Sequence, residues 1–263
     1  MLEVKGLKKT FHLDANPEND KKALIGVDLT LNEGDFVSVI GSNGSGKTTL
    51  LNLIAGVFPP DAGEILLNGK DISNLPVHKR AKFMGRVFQD PMMGTIADIS
   101  LFENLSIASR RGKKQSPFRW ALTKESEEGF KKLLAPLGLG LEKRLNAPMG
   151  TFSGGQRQSV TLLMATLSRP EVLLLDEHTA ALDPATAKTV MDLTSKIVTE
   201  SKIPTLMITH NMKDAIKYGN RLIMMDGGRI VFESSGEEKS KLTVKDLVDK
   251  FPSGEISDAN VLG

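Results

Sequence analysis

The sequence predicts an α/β domain whose parallel sheet follows an antiparallel β unit and is interrupted by a helical lobe. Three observations predict it. Short apolar runs at residues 36–40, 172–175, 205–209 and 221–225 have the length and continuous hydrophobicity of strands buried on both faces, and helical patterns alternate with them. A glycine-rich loop, Gly41-Ser42-Asn43-Gly44-Ser45-Gly46-Lys47-Thr48-Thr49, joins the first run to a helical stretch at 47–57. Residues 90–155 hold no strand signal and read as helical or irregular, which places the inserted lobe there.

The N-terminal unit comes first in the chain. Residues 2–11 and 23–31 alternate apolar and polar positions as half-buried strands do, and the polar stretch 12–22 between them, with Asn16-Pro17, reads as an extended hairpin connection. Ile65-Leu66-Leu67 runs into Asn68-Gly69, a dipeptide suited to a tight hairpin turn. Asn68-Gly69-Lys70-Asp71 contains the residues of a guanine-reading motif in the wrong order, and the turn explains them better. In the second half, Asp183-Pro184 supplies an N-cap carboxylate and a first-turn proline for a helix that runs to about Glu200. From Glu233 the chain is polar apart from one amphipathic piece at 242–251. The expected division is a domain over 1–232 and a short tail over 233–263.

Composition narrows the function classes. The 263 residues suffice for one sizeable core with an inserted lobe. With 34 Lys and Arg against 32 Asp and Glu, bulk charge does not call for a nucleic-acid partner. The absence of cysteine excludes disulfides and thiolate metal sites, and fits a reducing compartment. The first residues lack the apolar core of a signal peptide. No run approaches the ~18 apolar residues of a bilayer span, so any membrane part is expected on another chain.

The glycine-rich loop fits the phosphate-binding pattern G-x-x-x-x-G-K-[ST] at every fixed position. Its glycines let successive backbone N–H groups point at one anion, and the following helix adds the partial positive charge of its N-terminus. Lys47 can then reach β- and γ-phosphates, and the Thr48 hydroxyl can ligate Mg²⁺. A nucleoside triphosphate is the expected ligand. The run 172–175 ends in Asp176-Glu177, where an Asp can hold Mg²⁺ opposite Thr48 and the next carboxylate emerges beside the γ-phosphate. The other reading of this pair is a strand end with two solvated acids. His210 directly follows the run 205–209, whereas His12 and His78 have no strand-end context and read as surface residues.

Phe152-Ser153-Gly154-Gly155-Gln156-Arg157-Gln158 resembles the signature of the ATP-binding cassette (ABC) ATPases. With the order phosphate loop, Gln89, signature, Asp176-Glu177, His210, the resemblance covers roughly residues 1–232. It implies a P-loop NTPase core of RecA-like type. By the same resemblance Glu177 is the general base or water-positioning group, Gln89 (after Met84-Gly85-Arg86-Val87-Phe88) senses Mg²⁺ and the attacking water, and His210 is the switch histidine. Ala180-Ala181-Leu182-Asp183 matches the D-loop and puts Asp183 near nucleotide. Phe11 has two readings, an aromatic stacked on adenine or a core residue at a strand end. His178 stands where many relatives carry proline. It is either a titratable group near the γ-phosphate or variation with no proton role.

The family solution also implies partners. Ser153, Gly154, Gly155 and Gln156 open a helix and form a second anion site that faces away from its own phosphate loop. Two copies arranged head to tail would clasp two ATP molecules, each between one Lys47 and the other Ser153. The implied assembly is a homodimer on separate permease chains at the cytoplasmic face of the membrane, with an extracytoplasmic solute-binding protein acting indirectly. The permease would dock near the Gln89 loop and residues 98–107. Asp176-Glu177-His178-Thr179-Ala180-Ala181-Leu182-Asp183-Pro184, with Phe88-Gln89-Asp90-Pro91, looks like a bacterial importer subfamily assigned to tryptophan, tyrosine or related solutes. The competing reading is a cassette with a non-transport role on nucleic acid, ribosomes or in membrane signalling. The Gln89-to-Ser153 interval has no sustained heptads and the chain carries one phosphate loop, so no nucleic acid is expected. The basic stretch 110–114 and the Pro117-Phe118-Arg119-Trp120 that follows read as a solvated loop or a surface near headgroups.

Overall fold

A computed structural model describes residues 1–12, 14, 16, 19–112 and 123–251, so Lys113, Lys114 and the Pro117-Phe118-Arg119-Trp120 piece lie outside the described residues. In chain order the strands are β1 (Leu2–Phe11), β2 (Lys21–Leu31), β3 (Phe36–Gly41), β4 (Ala62–Leu67), β5 (Lys70–Asp71), β6 (Met84–Val87), β7 (Val172–Asp176), β8 (Thr205–Ile208), β9 (Arg221–Asp226) and β10 (Arg229–Ser235). The helices are α1 (Lys47–Ala55), α2 (Val77–Arg80), α3 (Leu101–Ser109), α4 (Lys124–Leu134), α5 (Gly154–Thr166), α6 (Pro184–Ser201), α7 (Met212–Lys217), α8 (Gly236–Ser240) and α9 (Val244–Val248).

Among the described residues the strands form two sheets. One is antiparallel, in the order β2-β1-β4-β5. The other runs β10-β9-β3-β8-β7-β6, parallel throughout except for β10. This is the expected α/β core with its N-terminal antiparallel unit. The β4–β5 turn is made by Asn68 and Gly69, both at positive φ (49° and 76°), the backbone that suits the twist of a tight hairpin. The central strands β3, β7, β8 and β9 are buried on both faces, which explains their unbroken apolar sequence. One core joins the two sheets through α1, with Leu2, Val27, Leu50, Leu53, Val39 and Leu174 in contact across it. α1 stops at Ala55, with Gly56 at φ 78° closing the turn, slightly short of the predicted residue 57.

Residues 90–155 carry α3, α4 and short 3₁₀ turns, and no strand among those described. They have their own apolar core of Leu101, Leu105, Phe130, Leu134, Leu141 and Phe152. α5 completes that core with Val160, Leu163 and Met164, and turns Leu162 and Ala165 toward β7 and α6. The lobe thus extends through α5, since a boundary at 155 falls inside that helix.

The expected tail needs a larger correction. Glu233 lies within β10, paired with Ile223 of β9. Beyond it Leu247 is fully buried, and Leu242, Val244, Val248 and Phe251 pack with it against Ile40, Met212 and Met224. The ammonium of Lys239 donates to the carbonyls of Ile216, Tyr218 and Gly219 at 2.6, 3.0 and 3.0 Å, closing the end of α7. Burial pushes that amine down to about 8. The described chain to Phe251 is therefore part of the core domain. No helix among the described residues is long and apolar enough to cross a membrane.

Candidate functional site: a phosphate loop and four strand-end residues

The site is built at the carboxyl ends of parallel strands, where open α/β sheets bind ligands. β3 ends at Gly41 and the loop returns the chain into α1. A side chain at Gly41 would meet the Met225 carbonyl at 2.3 Å and Ser45 Oγ at 2.6 Å. Gly46, at φ 103°, lies against the Ala23 carbonyl, 2.5 Å from where a Cβ would stand. Neither position accepts another residue without moving backbone. Gly46 gives α1 no side-chain cap, which leaves the first N–H groups of the helix available to an anion. The Lys47 ammonium folds over the loop and donates to the Gly41 and Ser42 carbonyls at 2.7 and 2.9 Å. Burial lowers its pKa and the Glu177 carboxylate works against that.

A cavity of about 220 Å³ is lined by Phe11, Lys21, Ala23, Asn43, Gly44, Gly46, Lys47, Thr48, Thr49 and Glu177. Phe11 thus joins the loop, its ring meeting Phe58 edge-on at 5.4 Å. Lys21 and Ala23 are not in the sequence-derived set. Lys21 reaches the cavity because it pairs with Phe11 at the end of the irregular β1–β2 register, and its Nζ is the nearest side-chain atom to Gly44. No local pattern marks that residue; only the strand pairing does.

Glu177, one residue past β7, has φ 44°, a left-handed backbone uncommon for a residue with a side chain and concentrated at functional sites. Its amide donates to the Ile208 carbonyl of β8 at 3.1 Å, which fixes the turn. His210 Nδ1 lies 3.3 Å from Glu177 Oε2. That hydrogen bond, helped by the opposite charges, holds the Glu177 carboxyl below its ordinary range, and it raises the His210 imidazole above its own. A second cavity of about 380 Å³ adjoins the pair, lined among others by Thr179, Leu182, Asn211 and Lys213. Asp176 accepts a hydrogen bond from Arg86 at 3.0 Å. Burial raises the Asp176 pKa, and Arg86 opposes that rise.

The remaining predicted residues lie elsewhere. Gln89 follows β6 and lines neither cavity. Asp183 caps α6, accepting from the Thr186 amide at 3.1 Å, and does not line the phosphate-loop cavity. Ser153 caps α5: its hydroxyl accepts from the Gln156 amide at 3.3 Å and the Gln156 side chain accepts from the Ser153 amide at 3.2 Å. Gly154 abuts Leu182, and Gly155 sits so close to Thr186 that a Cβ would overlap it, so α5 is pinned to α6. None of Ser153, Gly154, Gly155 or Gln156 lines the cavity around Lys47.

Of the two readings of His178, the structure favours the one with no proton role near phosphate. It is buried with Nε2 3.0 Å from Thr194 Oγ1, lines neither cavity, and burial pushes its pKa to about 4. A neutral imidazole packed under α6 fills space and makes one hydrogen bond.

The donor chemistry suits a small hard cation. Thr48 lines the phosphate-loop cavity and Asp176 lines neither cavity; between them they offer one hydroxyl and one carboxylate, and no group of three or more His, Cys, Asp or Glu fit for a metal occurs among the described residues. Mg²⁺ fits such a set because it keeps several waters and takes substrate phosphates as ligands.

The family model described as ABC transporter matches residues 24–180. A tyrosine transport ATP-binding protein of Clostridioides difficile is 44% identical over 252 residues, 95% of this chain and 98% of that protein. A methionine import ATP-binding protein of Clostridium tetani is 32% identical over 97% of this chain and 73% of its own length. Among solved structures, the ADP conformation of an ATP-binding cassette of an ABC transporter superposes with TM-score 0.76 at 28% identity, covering 95% of this chain and 97% of that one. A dimeric post-hydrolysis cassette bound to ADP and phosphate superposes with TM-score 0.72 at 28% identity, covering 89% and 98%. The chain belongs to the ABC transporter family, as an ATP-binding and ATP-hydrolysing subunit of a transporter.

Proposed function

We propose that this chain powers a bacterial-type importer of aromatic amino acids, tyrosine or tryptophan in kind, through separate permease subunits. The observation that carries it is the split site: Lys47 and Glu177 share one cavity, while the Ser153 helix start stands outside it. A head-to-tail pair of copies would bring Ser153 of one to the γ-phosphate over Lys47 of the other, an arrangement in keeping with the dimeric cassette structure named above. The Ser153 hydroxyl has one donor and two acceptor positions, so it can cap α5 and still donate to phosphate.

In this reading the phosphate-loop amides and Lys47 hold the β- and γ-phosphates, and Phe11 offers its ring to adenine. Glu177 takes the proton of the attacking water and His210 orients Glu177 through their hydrogen bond. Thr48 and Asp176 would hold Mg²⁺, with Gln89 joining them as the loop after β6 moves inward. The ion would neutralise charge developing across the phosphates. Asp183 would meet the partner copy across the dimer. Loss of phosphate would loosen the pair and drive the permease between its two states. The chain would sit peripherally at the cytoplasmic membrane face. The relatives named above are transport subunits and do not favour a role on nucleic acid or ribosomes.

Solute choice rests on the tyrosine-transport relative, and the test is reconstitution. The chain, its permease and its solute-binding protein in proteoliposomes should hydrolyse ATP faster when tyrosine or tryptophan is supplied. Stimulation by methionine or a sugar, with none by aromatic amino acids, would overturn the solute assignment.

A further inference from the structure

Asp176 already has a cation. Arg86, on β6, donates to its carboxylate at 3.0 Å, with both side chains less than a fifth exposed (18% and 16%). Arg86 is otherwise weakly held. Its guanidinium lies over the Phe88 ring at 4.7 Å, and its buried Nε has no hydrogen-bond partner among the described groups. Arg80, six residues earlier, shows what a structural arginine looks like here. It is fully buried and donates to the carbonyls of Leu53, Ile54, Ser73 and Leu75, all at 2.7–2.8 Å. A guanidinium with five donors and one strong partner is kept in place mainly by the charge it neutralises.

We propose that Arg86 is the resident counter-ion of Asp176, and that Mg²⁺ arriving with the nucleotide competes with it for that carboxylate and displaces it. This rests on the reading above that Asp176 faces Mg²⁺. Two cations against one largely buried carboxylate repel each other, and the divalent ion wins only when phosphate oxygens complete its shell. Arg86 therefore holds metal affinity down until nucleotide is present.

The displaced group has a short route to the helical lobe. Arg86 stacks on Phe88, and the Phe88 carbonyl accepts from Gln158 Nε2 at 3.1 Å. Gln158 is fully buried on α5, the helix that Ser153 opens, and its own side-chain oxygen has no partner among the described groups. Just beyond Gln89, Gly94 packs onto Thr161 of the same helix. Release of Arg86 from Asp176 thus frees the guanidinium that stacks on the Phe88 ring at the root of the Gln89 loop, and α5 is the next packed element. Arg86 is a positioning residue that ties metal arrival to the signature helix.

The experiment titrates MgCl₂ against trinitrophenyl-ATP fluorescence, from EDTA upward, in the full chain and in Arg86→Gln, Arg86→Lys and Asp176→Asn. Arg86→Gln should lower the half-saturating Mg²⁺ concentration about three- to tenfold, the scale of one partly buried charge pair, and Arg86→Lys should stay near the parent. An unchanged or raised Mg²⁺ requirement in Arg86→Gln would overturn the proposal. Asp176→Asn separates the two ideas: it should raise the requirement, and if it does not, the placement of Mg²⁺ at Asp176 fails whatever Arg86 does. Hydrogen exchange in the unmutated chain guards against a variant that folds poorly. Adding Mg²⁺ to the ADP-bound protein should alter exchange both at 86–94 and at 154–161, and no change at either segment would overturn the relay.

Discussion

Two helix starts in this molecule are built from glycine and face anions in the proposed dimer, yet they are finished differently. α1 begins at Gly46 with no side-chain cap, in a walled cavity where Lys47 waits over the loop carbonyls. α5 begins at Ser153 with a complete capping box and lies outside that cavity. The first start is a ready anion site, because among the described residues no side chain caps its N–H groups. The second has already satisfied part of its need internally and offers chiefly a hydroxyl hydrogen. In the proposed dimer one half of the site would bind nucleotide alone, and the other would add to it only when a second copy brings it into place.

Substitutions can break that contrast, beginning with the largest effect. Glu177→Gln should lower the ATP hydrolysis rate by about 10²–10⁴, the usual contribution of a positioned base, while leaving ATP bound and the dimer closed. A phosphate-release assay with size-exclusion chromatography reads both, and an undiminished rate would remove Glu177 from its role.

Next, Lys47→Ala and Ser153→Arg should separate the two starts. Lys47→Ala should weaken ATP binding by the monomer about 10- to 100-fold, the loss of a charge-assisted contact. Ser153→Arg should leave that monomer affinity nearly unchanged and abolish ATP-dependent dimerisation, as read by calorimetry and light scattering. Dimerisation of Ser153→Arg with ATP at the parental level would show that the second start takes no part.

A smaller effect concerns pH and the Glu177–His210 pair. The His210 pKa is raised above its ordinary 6.5, so its share of stability is fully present below 6.5 and disappears as pH rises through the folded value. The Glu177 pKa is lowered below its ordinary 4.5, so its share is present above 4.5 and disappears as pH falls through the folded value. The mutual stabilisation of the nucleotide-free protein should therefore be greatest between about 4.5 and 6.5 and decline toward alkaline pH. Thermal unfolding of the parent, His210→Ala, Glu177→Gln and the double variant across pH 5–9 gives the coupling; a coupling that grows with pH would contradict the pairing.

The smallest effect is at His178. His178→Met should cost about 1–2 kcal/mol of stability for one buried hydrogen bond, read by chemical denaturation, and leave the pH profile of hydrolysis where it was. A shifted profile would return His178 to the chemistry.

The same contrast explains how much could be read without coordinates. The phosphate loop, the Asn68-Gly69 turn and the strand-end Asp176-Glu177 are local patterns whose backbone demands are written in adjacent residues. The rest depends on pairing across long separations. Lys21 enters the cavity only because it stands opposite Phe11, and Arg86 acquires its partner from a strand 90 positions further on. β10 was hidden because Glu233, Ser234 and Ser235 are polar, as an edge strand allows; its apolar run is only Ile230-Val231-Phe232, with Val231 exposed and the other two partly buried. The two readings of His178 could not be separated in sequence, because only the reversed backbone at Glu177 sends the next side chain under α6.

The Lys239 ammonium grips the last carbonyls of α7, while Leu247 and its neighbours are wedged behind β3 and β9. His210 stands at the entrance to α7, just ahead of its capping residue Asn211. A displacement at Phe251 would therefore be felt along α7, the short helix that begins beside His210. In the proposed cycle the segment packed up to Phe251 would be a handle on the His210 corner.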